Sequence, residues 1–356
     1  MRWRPETVGA LRGAPFDDVI DVRSPSGFAE DHLPGAISLP VLSDAERARV
    51  GTVYVREDRF KARRIGAALV ARNAAAHIEE RLADRDGSWR PLVYCWRGGQ
   101  RSGAFAVILD QIGWRVRQLE GGYRTWRRLV TALLYEGVLP HRLVVLDGNT
   151  GSAKTDILKA VGRMGGQVLD LEGLAAHRGS VLGAVTGGQP AQKGFETAVA
   201  AAVAALDPDR PTLVEAESSR IGERMVPPAL WKAMRAAPRI AVAAEPEVRA
   251  AYLVRAYRDL VDDPEETVSR LRTLVPLRGR AAVEAWCEMA RAGEHEALAA
   301  RLIAEHYDPR YARGAMRRDA EARAVVTLDG PGEADVDRAA RRVAAAMADP
   351  GSGAAG

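Results

Sequence analysis

Residues 93–102 read VYCWRGGQRS, and this stretch decides how the first half of the chain folds. Cys95 ends an apolar run that starts at Pro91, and a glycine pair and Arg101 follow it. Residues 102–112 then have the apolar spacing of a helix that stops at Gly113. The sequence therefore predicts a buried strand, a loop beginning with Cys95, and a helix whose positive end faces that loop.

The loop after Cys95 has the composition of an anion-binding loop. The nucleophilic form of cysteine is the thiolate, which needs a positive potential near neutral pH. The backbone N–H groups of 96–102 can surround one anion, and Arg97 and Arg101 add full charges. We predict that Cys95 is a catalytic residue with Arg97 and Arg101 beside it; the alternative is a buried cysteine that only packs. Cys287 lies in a helical pattern, where packing is the expected role.

A second glycine-rich loop follows at 143–155, which read LVVLDGNTGSAKT. An apolar strand leads into a turn that fits the phosphate-binding pattern G-x-x-x-x-G-K-[ST] except at one position, and a helical pattern comes after it. An alanine at that position is tolerated provided that its φ is negative. An ordinary glycine turn between strand and helix is the alternative. The predicted phosphate-binding residues are Gly148, Asn149, Thr150, Gly151, Ser152, Ala153, Lys154 and Thr155.

The segment 212–222, TLVEAESSRIG, supplies acidic side chains after another apolar strand. Glu215 and Glu217 lie on the same side of an extended segment. Either could hold Mg²⁺ through water, or form a salt bridge with Arg220. The sequence contains no certain set of metal ligands.

The whole chain has the length and composition of a two-domain α/β protein. It has 356 residues, of which 47% are hydrophobic and 28% charged. Strands are predicted at 18–22, 92–94, 116–119, 167–171, 212–214 and 240–243, with mainly helical patterns after about 246. We predict domains at 1–138 and 139–325, the second with a helical extension. A C-terminal segment, 326–356, follows, and we expect its last residues, 349–356, to be disordered.

Other sequence features limit the class of protein. The two cysteines exclude a disulfide framework, and the longest apolar stretch, 198–206, is too short to cross a membrane. With no apolar core of a signal peptide, we expect a cytoplasmic protein without a membrane partner. The net charge of +4 is modest, but basic residues cluster, which favours a nucleic-acid partner or, alternatively, solvated helix faces. The clusters are Arg56, Arg59, Lys61, Arg63 and Arg64; Arg115, Arg117, Arg124, Arg127 and Arg128; and Arg310, Arg313, Arg317 and Arg318.

Four motifs of the first domain together resemble a rhodanese domain. They are DVRSP at 21–25, HLPGA at 32–36, the Cys95 loop and LEGGY at 119–123. The resemblance implies that Cys95 carries sulfur or selenium as a persulfide or selanylsulfide. It also implies structural roles for Asp21 and His32.

Three further motifs are not explained by a general α/β fold. They are LDLEGLAAHRGS at 169–180, QPAQKGFE at 189–196 and HYDPRY at 306–311. In this order behind a rhodanese domain they resemble the tRNA 2-selenouridine synthase family. The resemblance implies a P-loop NTPase-like second domain with a helical C-terminal part. The sequence departs from the expected pattern at Ala153 and at Ala216, where the family has an acidic residue.

The resemblance also implies a transferase that replaces the sulfur of 2-thiouridine at the wobble position of tRNA, U34, by selenium. The sulfur is first geranylated from geranyl diphosphate and then exchanged using selenophosphate. The implied partners are the Lys, Glu and Gln tRNAs; no tightly bound cofactor is implied, and Mg²⁺ is a candidate ion. Three alternatives remain open at this point: a rhodanese-type sulfurtransferase, a P-loop kinase or NTPase with a regulatory rhodanese domain, and a tRNA-binding protein without activity.

Overall fold

The computed structural model describes residues 2–315 and 322–348, which divide into two compact units. The first unit contains the chain up to Val138, then Pro190–Ala205 and Pro227–Ala229. The second contains Leu139–Gln189, Leu206–Val226 and the described residues from Leu230 onward. The tail 349–356, where we expect disorder, lies outside the described residues.

The first unit is built on a parallel five-stranded sheet. Its strands are β1 (Arg2–Trp3), β2 (Asp18–Asp21), β3 (Ala36–Ser38), β4 (Pro91–Tyr94) and β5 (Arg117–Leu119), in the order β1-β5-β4-β2-β3. All four residues of the central strand β4 are buried, as a strand covered on both faces requires. The helices are Pro25–Glu30, Asp44–Arg56, Arg59–Arg81, Gln100–Ile112, Tyr123–Thr131 and Gln192–Val203, with a 3₁₀ turn at Val8–Leu11 and a π-helical turn at Ala132–Glu136.

The helix Gln192–Val203 belongs to the first unit, although the predicted boundary assigns it to the second domain. Phe195 on this helix is fully buried, and the Thr197 hydroxyl donates a 3.0 Å hydrogen bond to Asp31. Glu196 is also buried and forms an ion pair with Arg127. These buried polar contacts fix the helix against the first unit, because leaving either partner unpaired would be costly.

The second unit contains another parallel five-stranded sheet. Its strands are β6 (Arg142–Asp147), β7 (Gln167–Leu169), β8 (Pro211–Glu215), β11 (Arg239–Ala243) and β12 (Ala324–Thr327), in the order β12-β11-β6-β8-β7. A short antiparallel hairpin consists of β9 (Arg220–Ile221) and β10 (Arg224–Met225). The helices are Lys154–Arg163, Leu171–Leu174, Pro246–Ala256, Arg258–Val261, Pro264–Arg272, Val275–Arg278, Arg280–Ala292, His295–Leu302, Asp308–Ala315 and Glu333–Ala348, with a π-helical turn at Ile303–Tyr307. One further helix, Pro228–Ala236, runs from the last segment of the first unit into the second.

Two details of this unit differ from the sequence expectations. The strand expected at 167–171 ends at Leu169, because the Asp170 side chain accepts a hydrogen bond from Gly173 N–H and caps a short helix. The part of the predicted C-terminal segment that the structure describes, 326–348, is not separate: β12 pairs with β11, and the helix Glu333–Ala348 buries Val336 and Val343 in the core of this unit.

Parallel sheets with flanking helices in both units confirm the predicted α/β fold with a helical C-terminal part. In both sheets the loop of interest directly follows the central strand: Cys95 follows β4, and Gly148 follows β6. Such loops at the carboxyl ends of parallel strands are where open α/β sheets bind ligands. None of the helices in the described ranges is long and apolar enough to cross a membrane.

Candidate active sites in the two units

Cys95 lies at the bottom of a tight loop between β4 and the helix Gln100–Ile112. Its side chain is 3% exposed, and the Ser102 hydroxyl donates a hydrogen bond to Sγ over 3.1 Å. The Gln118 amide on β5 in turn donates to Ser102 Oγ over 2.8 Å and to Gly98 O over 2.9 Å. The sulfur is therefore held by a hydroxyl that is itself oriented by the neighbouring strand.

The surroundings of Cys95 favour the thiolate. Burial raises the pKa of the Cys95 thiol, but hydrogen bonds from the Ser102 hydroxyl and N–H outweigh it, together with the charge of Arg101 and the N–H of Arg97. The net result is a Cys95 pKa below its ordinary value. Arg101 thus acts through its charge. Arg97 contributes its backbone N–H, while its side chain is exposed.

Glycines allow a second turn to pack against this loop. Gly98 and Gly122 have φ values of +61° and +63°, in the left-handed region that favours glycine. A Cβ on Gly98 would lie 2.6 Å from Leu119 O and 2.9 Å from Gly122 N. The N–H groups of Tyr123 and Arg124 donate to Cys95 O and Trp96 O over 2.9 and 3.2 Å. The motif at 119–123 therefore supports the cysteine loop from outside it.

An aromatic and basic surface adjoins the cysteine loop. Trp96 is 38% exposed, and its ring lies 5.2 Å from that of Tyr123. Arg124 and Arg128, one helical turn apart, are both exposed. Tyr123 itself is buried, so Trp96 presents the exposed ring. An exposed aromatic ring beside basic side chains can stack on an unpaired nucleobase while the basic side chains contact its phosphate.

The predicted phosphate-binding loop of the second unit lies between a strand and a helix, as the sequence indicated. Gly148 and Gly151 have positive φ values, +156° and +89°. A negative φ was expected for Ala153, and this expectation is wrong: its φ is +57° and its ψ is 24°. Its methyl group is nevertheless buried in the core formed with Ile157 and Leu158. The loop thus adopts the turn that glycine would allow, with an alanine in the left-handed conformation.

Lys154 and Thr155 stand at the start of the helix that follows the loop. The Lys154 ammonium donates to Gly148 O over 2.6 Å and to Asn149 O over 3.3 Å, so it lies across the loop. The Thr155 hydroxyl donates to Glu172 over 2.8 Å. Both side chains therefore face the concave side of the loop, where an anion would be neutralised by Lys154 and by the helix N-terminus.

A buried arginine also contacts the loop backbone. Arg249 is 4% exposed and forms two hydrogen bonds with Asp308, of 2.9 and 2.6 Å. It also donates to Thr150 O over 2.9 Å, and Asn149 donates to Asp308 over 3.2 Å. The loop backbone is therefore tied to the helical part of the unit.

Carboxyl groups collect next to Thr155. Burial raises the pKa of Glu215 well above its ordinary value, as do the charges of Asp170 and Glu172. Burial and the charge of Glu172 likewise raise the pKa of Glu217. The Glu215 carboxyl accepts a hydrogen bond from Leu171 N–H over 3.1 Å, while its other oxygen has no partner among the described residues. Arg220 donates to Gly222 O and forms no salt bridge with either glutamate within that same part of the chain.

This carboxyl group cluster was predicted in part. Glu217 lies close to Glu172 and near Lys154, while Glu172, which accepts the hydrogen bond from Thr155, was not anticipated. The metal-binding role of Glu215 and Glu217 stays a prediction. No three His, Cys, Asp or Glu side chains of the described residues are arranged to hold a metal ion. Oxygen donors of this kind suit Mg²⁺, so a hydrated ion is the form that the site could take.

Comparison with known proteins identifies the family. Residues 141–273 match the model for the tRNA 2-selenouridine synthase AAA domain, and residues 5–129 match the rhodanese-like domain. A protein named tRNA 2-selenouridine synthase from Cupriavidus necator is 33% identical over 344 residues, which cover 87% of this chain and 91% of that protein. The chain belongs to the tRNA 2-selenouridine synthase family. Proteins of the same name from Shewanella denitrificans and Hahella chejuensis are 34% and 37% identical over 71% and 69% of this chain and over 68% and 64% of their own lengths.

Three other residues singled out in the sequence of this tRNA 2-selenouridine synthase family member make packing or ion-pair contacts within the fold. Cys287 is fully buried among the apolar side chains of the helical region, and burial raises its pKa. Asp21 forms a buried ion pair with Arg23 at 2.7 Å, and His32 stacks on Phe28 with ring centroids 3.9 Å apart. The contacts of Asp21 and His32 are of the structural kind expected for these two residues.

The three basic clusters differ in how far their side chains are exposed. Arg56, Arg59, Lys61, Arg63 and Arg64 are exposed on two consecutive helices of the first unit. In the second cluster Arg127 is used internally, in its ion pair with Glu196. In the third cluster Arg310 is exposed, whereas the side chains of Arg313, Arg317 and Arg318 lie outside the described residues.

Proposed function

We propose that this protein converts 2-thiouridine at the wobble position of tRNA to 2-selenouridine, with Cys95 as the selenium carrier. The observation that carries this proposal is the buried Cys95, whose thiolate is stabilised by Ser102, two backbone N–H groups and Arg101. The names of its relatives give the product class. A second site, which offers phosphate-binding geometry, supplies what a two-step reaction needs.

The first step we propose is geranylation of the 2-thiouridine sulfur. The sulfur attacks C1 of geranyl diphosphate, the C–O bond breaks, and inorganic diphosphate leaves with the bonding electrons, while N3 of the base releases its proton to solvent. Lys154 and the N–H groups at 150–155 would neutralise the charge that develops on this leaving group. Thr155, Glu215 and Glu217 would hold a hydrated Mg²⁺, which would add positive charge next to the same oxygens.

The second step replaces the alkylated sulfur. The Cys95 thiolate attacks selenium of selenophosphate, and the electron pair of the Se–P bond leaves with phosphorus as phosphite. The terminal selenium of the Cys95 selanylsulfide then attacks C2 of S-geranyl-2-thiouridine, and geranylthiolate leaves. Two equivalents of a small-molecule thiol reduce the remaining S–Se bond, which releases the selenouridine and restores Cys95. Geranylation matters here because an alkylated sulfur is a far better leaving group than a thiocarbonyl.

Nucleoside mass spectrometry on tRNA that contains 2-thiouridine tests both steps. With geranyl diphosphate, selenophosphate and a thiol present, we expect Cys95→Ala to accumulate S-geranyl-2-thiouridine and to form no 2-selenouridine. Cys287→Ala, which removes the buried thiol of the helical region, serves as the control and should behave as wild type. Formation of 2-selenouridine by the Cys95 variant at the wild-type rate would contradict the carrier role. Phosphorus NMR should detect phosphite; phosphate alone would show that selenium does not pass through an S–Se bond.

Lys154→Ala separates the two steps. Loss of the positive charge should slow geranylation by about 10²–10³, while tRNA supplied with S-geranyl-2-thiouridine should still be selenated. Lys159→Ala is the matched control, because this lysine is exposed on the same helix. Intact geranylation with lost selenation would assign the loop to selenophosphate instead. Turnover of a nucleoside triphosphate without either product would favour the kinase or NTPase alternative.

A further inference from the structure

A small apolar cavity of about 70 Å³ lies within the helical part of the second unit. Its lining is mainly aliphatic and aromatic and includes Leu253, Val254, Tyr257, Ala299 and Tyr307. The gap is partly open to solvent among the described residues, which leaves part of its apolar lining uncovered. An apolar gap of this kind is a place where a hydrocarbon group can bind.

The near wall of this cavity is in contact with the phosphate loop. A Cβ atom built on Gly151 would lie 3.2 Å from Leu253 Cγ, so this leucine packs directly against the loop backbone. Arg249, one turn earlier on the helix Pro246–Ala256, holds Thr150 O. The same helix therefore braces the loop and lines the cavity.

Two sequence motifs that an ordinary phosphate loop does not need join the loop to the cavity. In the motif at 169–180, Glu172 accepts the hydrogen bond from Thr155, and Ser180 is hydrogen-bonded to the Tyr257 hydroxyl over 2.8 Å. In the motif at 306–311, Tyr307 lines the cavity and Asp308 binds Arg249.

A π-helical turn makes the second of these connections. Ile303–Tyr307 is a π-helical turn that leads directly into the helix Asp308–Ala315. Such turns are frequent at functional sites. Here the turn places consecutive residues, Tyr307 and Asp308, on the cavity and at the loop respectively. The motif at 306–311 thus contributes directly to the cavity wall, whereas the motif at 169–180 reaches it through Tyr257.

We propose that this cavity takes the distal end of the hydrocarbon chain of a prenyl diphosphate whose diphosphate lies in the loop. The inference rests on the proposed function, which places the diphosphate group of the substrate in the loop. An amphiphilic substrate of this kind needs a polar cradle and an apolar cavity in contact with each other. A water molecule occupies about 30 Å³ of liquid, so the cavity encloses only two or three carbon-sized groups. The rest of the chain lies along the wall formed by Leu253 and Val254.

Filling the cavity tests this assignment. Ala299 lines it and is 7% exposed, so Ala299→Leu would occupy part of its volume. Ala300→Leu makes the same change on the exposed side of the same helix, His295–Leu302, and is the control. Calorimetric titrations of the full chain with geranyl diphosphate and with inorganic diphosphate, without tRNA, give the two affinities. Each buried methylene is worth roughly a factor of four in affinity, so wild type should prefer geranyl diphosphate by tenfold or more.

We expect Ala299→Leu to remove most of that preference and to leave the affinity for inorganic diphosphate within about twofold. A filled variant that keeps the wild-type preference would overturn the cavity assignment while the prenyl donor stands. A wild-type protein without any preference would instead contradict the prenyl donor itself. If Ala299→Leu does not fold, Val254→Thr replaces it, because threonine keeps the side-chain volume but places a hydroxyl in the apolar wall. A several-fold weaker affinity of this variant for geranyl diphosphate supports the assignment, and an unchanged affinity overturns it.

Discussion

The hydroxyl of Ser102 is the single contact that we expect to control the reactivity of Cys95. It donates to Sγ over 3.1 Å from the first turn of the helix Gln100–Ile112, and Ser102 is fully buried. Ser102→Ala removes the donor and retains the helix, because alanine is the best helix former. No solvent molecule can easily replace the hydroxyl at a position with no exposed surface.

The size of the effect follows from the hydrogen bond that is lost. A hydrogen bond to a charged group contributes about 1.5–3 kcal/mol, and one pKa unit corresponds to about 1.36 kcal/mol. The pKa of Cys95 should therefore rise by about one to two units in Ser102→Ala. Arg101 and the N–H groups of Arg97 and Ser102 remain, so the stabilisation of the thiolate is reduced but not abolished. At any pH below both pKa values the thiolate fraction should fall by about tenfold or more.

The rate of alkylation by iodoacetamide, measured from about pH 5 to about pH 10, reports the apparent pKa of the thiol. The measurement is made in a Cys287→Ala background, so that Cys95 is the only cysteine. Ser88→Ala is the matched control, since the Ser88 hydroxyl binds Asp86 on the surface of the same unit. An apparent pKa that is the same in Ser102→Ala and in the control would refute the argument that this hydroxyl holds the thiolate.

Four further outcomes follow from the geometry. Trp96→Ala should raise KM for tRNA by roughly tenfold with a smaller change in kcat, because a stacked base is worth about 1–3 kcal/mol; Trp96→Phe should restore most of the loss in the same steady-state assay. Arg249→Ala should lower the free energy of unfolding by about 2–3 kcal/mol, whereas Arg255→Ala, exposed on the same helix, should change it little in urea titrations. The contribution of protonated Glu215 to stability is full below the ordinary carboxyl pKa of about 4 and is lost as the pH rises through its raised folded-state pKa. Glu215→Gln should therefore become more stable relative to wild type as the pH rises from about 4 to about 8, as measured by thermal unfolding in EDTA. Ala153→Gly should leave the free energy of unfolding within about 1 kcal/mol in urea titrations.

The sequence was most informative where the chemistry is local. Cys95 and the loop at 148–155 were recognisable because a buried strand, a glycine turn and a helix follow each other within about fifteen residues. Ser102 could have been found in the same way, since it lies in the first helical turn after the cysteine loop. The partners that come from elsewhere in the chain, such as Gln118 on β5, gave no local signal.

Long-range contacts account for the remaining differences. The pairing of Arg249 with Asp308 spans 59 residues, and nothing in either segment alone indicates it. The helix Gln192–Val203 carried a weak signal: Glu196 and Thr197 interrupt its apolar run, and both are buried against the first unit. Polar residues inside an apolar helix indicate that a polar partner exists, but the sequence does not say in which unit it lies.

Ala153 shows why a departure from a loop pattern need not remove the loop. An alanine in the left-handed region costs about 1–2 kcal/mol, and replacing it by glycine would remove that cost. The same replacement would lose a buried methyl group, worth about 0.8 kcal/mol, and would add about 0.4–1 kcal/mol of unfolded-state entropy. The two sides nearly cancel, because the Ala153 methyl packs in the core with Ile157 and Leu158. The strand β6, the helix Lys154–Arg163 and the brace from Arg249 hold the turn in place whichever residue stands there. Lys154 and Thr155 therefore keep the positions that a phosphate ligand requires.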